Sequence, residues 1–123
     1  MATVALTPEE CSYTGMEGHS DTGEYDAATA TDGFEFVNDG NTIIHIKNAD
    51  AGTITATVDN PQACNFGGTT VHDVEVSIPQ NEDFLIGPFP THRFNATSTG
   101  KVTVRLTEHT DVTAISARAI KFV

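Results

Sequence analysis

The sequence predicts an all-β protein: a single antiparallel β-sandwich, jelly-roll or Ig-like, of about eight strands, preceded by an N-terminal arm. Three observations carry this. Short segments rich in Val, Ile and Thr alternate apolar with polar residues, as half-buried strands do. Turn signals separate them at spacings of about ten residues, the rhythm of a sandwich or barrel. Nowhere does an apolar stripe recur at helical period. With 123 residues there is material for one domain and one substantial core. The reading divides the chain into an arm and loop over 1–31 and a sandwich domain over 32–123.

In the arm, ATVAL has the composition of a short strand. The following TPEECSYTGMEGHSDTGEYD is polar, Gly-containing and aperiodic, and reads as loop. Two roles stand side by side for this region: a surface loop, or an arm that orders against a partner subunit.

Regularity begins after Asp32. Phe34 and Phe36 flank Glu35 in a first strand. Asn38-Asp39-Gly40-Asn41 is a tight-turn signal, because Asp-Gly accepts positive φ. Thr42–Lys47 forms the next strand, and Asn48–Gly52 the next turn. Thr53–Val58 alternates with Ile54, Ala56 and Val58 inward and Thr53, Thr55 and Thr57 outward. The connection Asp59–Asp73 contains Pro61, Gly67 and Gly68, which exclude a regular helix.

The stretch VEVSIPQNEDFLIGPFPTHRFN is the most sharply articulated part of the chain. Val74, Val76 and Ile78 alternate with Glu75 and Ser77, the pattern breaks at Pro79-Gln80-Asn81, and it resumes as Phe84-Leu85-Ile86. Gly87-Pro88-Phe89-Pro90 then makes a stiff corner, with two prolines fixing φ and Phe89 as its anchor in the core or against a subunit. After the small polar loop ATSTG, Lys101–Thr107 alternates with Val102, Val104 and Leu106 on one face. Glu108–Asp111 turns the chain into a last strand over Val112–Val123. Its apolar phase changes part-way, which predicts a bulge or burial on both faces.

Charge is the most unusual bulk property: six Lys and Arg face seventeen Asp and Glu, a formal net charge of -11. Such a surface repels phosphate backbones and anionic bilayers, so neither nucleic acid nor membrane is expected as a direct partner. No apolar run is long enough for a membrane-spanning helix, and MATVALTPEE lacks the basic and apolar regions of a signal peptide. The balance matches life in high salt, where the Debye length shrinks to about 3 Å at 1 M and self-repulsion is screened. The expected result is a chain that folds in molar salt and loses stability at low salt, followed by far-UV circular dichroism. Equal stability in both would contradict the halophilic reading.

Cys11 and Cys64 are the two cysteines. A disulfide between them would close a loop of roughly fifty residues and stabilise by a few kcal/mol; two free thiols are the alternative. The five histidines, His19, His45, His72, His92 and His109, show no metal-ligand spacing. There is no nucleophile elbow and no activated-cysteine pattern. The carboxylate pairs Glu9-Glu10 and Glu82-Asp83 lie among polar neighbours rather than in the apolar pocket a catalytic acid needs. No catalytic residue, cofactor site or metal site is therefore assigned, and the chain reads as non-enzymatic. Acidic loops (Asp21, Glu24, Asp26, Asp39) suit loosely condensed cations rather than an EF-hand. Asn95-Ala96-Thr97 is a glycosylation sequon. Tyr13 and Tyr25 are the aromatics a sugar site would draw on, since the phenylalanines fall at core positions.

The run from Asp32 to Val123 resembles a group of small virion structural proteins of tailed viruses. The residues that carry the resemblance are NDGNTIIHIKNADAGTITATVDNP, VEVSIP, FLIGPFPTHRFN and KVTVRLTEHTDVTAISARAI. It covers about three quarters of the chain, consists of structural residues, and leaves 1–31 unmatched. It implies a capsid decoration, cement or turret subunit, made in the host cytoplasm and carried on the capsid exterior. The implied partners are the major capsid protein, other virion proteins and further copies of itself, as homotrimer or homopentamer. With the acidic composition it implies a virus of a halophilic archaeon. A head-tail connector, a tail or baseplate adaptor, and a host-surface carbohydrate-binding module remain alternatives. The expected interface residues are Thr3, Val4, Ala5 and Leu6, able to add a strand to a neighbour's sheet edge, and Pro88, Phe89 and Pro90 at the corner.

Overall fold

A computed structural model describes residues 3–12, 14, 26–27, 33–61 and 73–123. In chain order the elements are β1 (Val4–Leu6), β2 (Glu9–Cys11), β3 (Asp26–Ala27), β4 (Gly33–Val37), β5 (Thr42–Asn48), β6 (Ile54–Val58), β7 (Val74–Ile78), β8 (Asp83–Ile86), the helical turn α1 (Thr91–Phe94), β9 (Lys101–Thr107) and β10 (Ile115–Phe122). They form a β-sandwich, as the alternation predicts. One sheet has the order β1-β4-β9-β6-β7; the other has the order β2-β10-β5-β8, with β3 also paired to β10. From β4 onward every pairing between strands is antiparallel, and the chain changes sheet at each connection except β6 to β7.

The core lies between the sheets. Ile54, Ala56 and Val58 of β6 stand opposite the inward residues of β9 and β7, and Ile44 and Ile46 of β5 stand opposite Ala119 and Ala117 of β10. With Phe34, Phe36, Val102, Val104 and Ile115 these side chains are almost completely removed from water, each contributing roughly 1.5–3 kcal/mol if large. Where β4 crosses β9, Gly33 has φ +122°, and a Cβ there would lie 2.1 Å from the Val104 carbonyl oxygen. Only glycine lets the two backbones approach so closely.

Four features differ from the sequence reading. First, the sheets are mixed: β1 runs parallel to β4 and β2 parallel to β10. Parallel neighbours need a long crossover; the chain between Leu6 and Gly33 supplies it for β1 and β4, and the rest of the domain supplies it for β2 and β10. The first strand of the arm is thus part of the sandwich, with Leu6 buried in the core. Second, Thr57 faces outward yet is buried, because Arg105 and Glu75 stand on either side of it in register. Third, Val112–Ala114 is a 3-10 turn rather than strand; the Asp111 carboxylate accepts from the Thr113 amide at 3.1 Å and the Thr113 hydroxyl at 2.6 Å. The change of phase in the last segment arises there, not at a bulge. β10 then alternates cleanly until Ile120, which is buried on the opposite face from Ala117 and Ala119. Fourth, one helical turn follows Pro90. Four residues are too few to show a helical period.

Candidate interaction site

Each end of the sandwich is closed by a buried polar residue at the end of a strand. At one end Asn48 and Asp50 tie three loops together. The Asn48 side-chain amide donates to the carbonyls of Gly52, Ile78 and Pro79 at 2.9, 3.0 and 3.2 Å, and its Oδ1 accepts from the Asp50 amide at 2.9 Å. The Asp50 carboxylate accepts from the amides of Thr110 and Asp111, both at 2.9 Å, and from the Thr110 hydroxyl at 3.1 Å. The backbone amide of Thr110, then those of Asp111 and Ala51, hold the Asp50 carboxyl below its ordinary value against the opposing effect of burial.

The sign follows. A carboxyl whose folded-state value is depressed contributes stability that is fully present above its unfolded value of 3.8. That contribution is lost as pH falls through the lower folded value. Urea titrations are expected to show wild type losing stability below about pH 4 with Asp50 among the causes. Asp50→Asn should be less stable at pH 7 and show a shallower acid loss. An unchanged acid slope in Asp50→Asn would remove Asp50 from this role.

At the other end Asn38 and Asn95 hold each other. The Asn38 side-chain amide donates to the Phe89 carbonyl at 2.9 Å and to Asn95 Oδ1 at 2.7 Å, while Asn95 Nδ2 donates to the Asn38 carbonyl at 2.9 Å. Phe89 packs between Phe36 and Phe94 with ring centroids 5.8 and 5.6 Å away. The amide nitrogen that a glycosyl group would need on Asn95 is therefore engaged in holding the corner.

The interface residues expected from sequence separate into three places. Val4 and Leu6 of β1 lie against the protein's own β4, with Ala5 exposed and Thr3 half-buried beside it. Phe89 is in the core, and Pro88 and Pro90 are exposed on the corner surface on either side of it. Cys11 is half-buried at the end of β2; Cys64 lies outside the described residues, as do Tyr13, Tyr25, His19, His72, Asp21 and Glu24. Among the described residues no three His, Cys, Asp or Glu side chains converge as metal ligands. His45 instead pairs through Nε2 with Asp83 at 2.5 Å across β5 and β8.

What sequence reading did not locate is an unequal pair of flanks. Among the described residues β7 is the last strand of one sheet and β8 the last of the other. The same connection that links them brings both edges to one side of the sandwich. On the opposite side one sheet ends in β1 and the other in β2 and β3, both paired to β10, and Leu6 of β1 is buried in the core. On the β7–β8 side Ile78 is fully buried, but the inward-facing residues further along both strands are only partly covered. Val76 is level with Ala56, and Phe84 and Ile86 with Ile46 and Ile44, yet all three are half-buried while their partners are fully buried. Val74 is 37% exposed, and Leu85, on the outer face of β8, is 63% exposed.

The charges around this flank are mainly acidic. Arg105 Nε lies 2.5 Å from Asp59 and its Nη2 3.1 Å from Asp73. Hydrogen bonding to Asp59 foremost, helped by the charges of Asp73 and Glu75, raises the Arg105 value. Glu75 on β7 and Glu82 before β8 are exposed. Chemically the arrangement offers a strand ladder, an apolar slot and negative charge.

Comparison of the chain with protein-family models, with characterised proteins and with solved structures finds no match.

Proposed function

We propose that this protein is a non-enzymatic virion structural subunit, a capsid decoration, cement or turret protein that sits in symmetric copies on the exterior of a viral head. The observation that carries the reading is, among the described residues, the β7–β8 flank: two sheet edges joined by one short connection, with the apolar side chains Val76, Phe84 and Ile86 between them only partly covered. Exposed edges are a liability that isolated proteins blunt, and they are of use to a protein that docks on neighbours. The clamps at Asn38 and Asn48 support the same reading, since a lattice subunit must present a fixed surface. The excess of carboxylates keeps assembled particles from sticking to one another. The resemblance of residues 32–123 to tailed-virus virion proteins supplies the biological setting, with the major capsid protein and further copies of the chain as partners.

The test is fractionation of nuclease-treated particles from cells producing the tagged chain. The protein is expected to band with intact particles on a density gradient and to be shed, without loss of packaged genome protection by the head lattice, on dilution from molar salt. Recovery only in the soluble fraction would contradict the reading, and recovery in rings of six or twelve copies would move it to the head-tail connector.

A further inference from the structure

We infer that the β7–β8 flank receives an extended basic segment of a partner protein, whose alternate apolar side chains enter the slot between the two sheet edges. The inference rests on the assembly reading above and names the chemistry of what docks.

The geometry of the two flanks carries it. On the side opposite β7 and β8, a three-residue strand from the arm adds to β4, burying Leu6 in the core and packing Val4, half-buried, against it. The sandwich is thus built to be completed by an added strand. On the open side, Val76, Phe84 and Ile86 already pack against the core cluster, and Val74 is still substantially exposed. A strand laid along β7 would continue the ladder β4-β9-β6-β7. Its residues facing the slot would cover Val74, Val76, Phe84 and Ile86; successive side chains point to opposite faces, so every second residue does this. The alternate residues would emerge beside Glu75, whose neighbourhood contains Asp73 and Asp59 with Arg105 as the basic group between them. Lys or Arg at those positions meets attraction, and Asp or Glu meets repulsion.

Contact-range charge also decides against the simplest competitor. A second copy of this chain docked edge to edge would set Glu75, with Asp73 and Asp59 beside it, against another acidic edge at a separation that salt screens least. A basic strand brings the opposite charge to the same short range.

The probe is a synthetic Lys-Val alternating octapeptide, titrated into the full chain and followed by backbone amide shifts. Binding should perturb Val74–Ile78 and Asp83–Ile86. Replacing Lys by Glu in the peptide should weaken binding at least tenfold, and so should replacing two Val by Pro, which cannot extend a ladder. Val76→Asp in the protein should weaken the parent peptide at least tenfold at an unchanged fold, judged by its dispersed amide spectrum. Val74→Asp, at a position already open to water, provides the same test if Val76→Asp unfolds. Equal binding of the Glu peptide, shifts centred away from the flank, self-association through the same residues, or no binding overturns the inference. A chain that bands with particles yet ignores the peptide sinks this inference and leaves the virion reading standing; peptide binding without particle association does the reverse.

Discussion

Phe89→Ala should lower the stability of the folded chain by about 3–5 kcal/mol, the usual cost of emptying an aromatic site in a core. Phe89 is the middle ring of the Phe36–Phe89–Phe94 cluster, tilted against one neighbour and edge-on to the other, and its carbonyl is one of the acceptors that fix Asn38. Removing the ring leaves a cavity beneath the corner and loosens the residue that accepts from the Gly40 amide. Against a total stability of about 5–15 kcal/mol, much of the folded population is at stake. Urea unfolding of wild type and variant in molar salt measures it. A loss below 1 kcal/mol would mean that Phe89 is not a core residue and that the whole corner is free for a partner. Pro88→Ala, on the exposed side of the same corner, provides the contrast and should change stability by far less.

Removal of residues 1–7 should be comparably damaging. It takes away Leu6, whose loss alone falls in the range of about 2–5 kcal/mol for truncating a buried aliphatic side chain. It also uncovers the edge of β4, whose residues Phe34–Phe36 pair with Val4–Leu6. Hydrogen exchange at the Phe34, Glu35 and Phe36 amides, together with the urea midpoint, reports the effect. An unchanged midpoint with unchanged protection would show that the arm is detachable and belongs against a neighbour. The parallel register and the burial of Leu6 point to the opposite result.

Both expectations depend on features of unequal visibility in the sequence. The strands were legible because period-two alternation is local: TITATV and KVTVRLT announce their inward faces residue by residue, and Ile54, Ala56, Val58, Val102, Val104 and Leu106 are all buried. Pro88 and Pro90 announce the corner. The sheet order was not legible, since which strands lie at the edges is decided by pairings between residues far apart in the chain. Val74-Glu75-Val76 alternates as regularly as Ile54-Thr55-Ala56, yet one strand is an edge and the other is central. The open flank follows from that difference and has no local signature.

The clamps were hidden for a different reason. Asn38, Asn48 and Asp50 occur in NDGN and NADAG, where Asn and Asp are expected simply as turn formers. Their burial and their reach to Phe89, Asn95, Ile78 and Thr110 depend on loops that come together only in the folded chain. The break in phase at Val112–Ala114 was visible, but the alternation alone suits a bulge or burial on both faces as readily as a 3-10 turn. The turn forms because Asp111 holds the Thr113 amide and hydroxyl.

Electron microscopy of intact particles at side-chain resolution shows directly where the β7–β8 flank sits in an assembled particle. The result predicted is symmetric copies on the head surface, with Val74–Ile78 and Asp83–Ile86 covered by an extended basic strand of a neighbouring protein. Copies whose β7 and β8 edges face solvent, with the contacts made elsewhere on the sandwich, would contradict it.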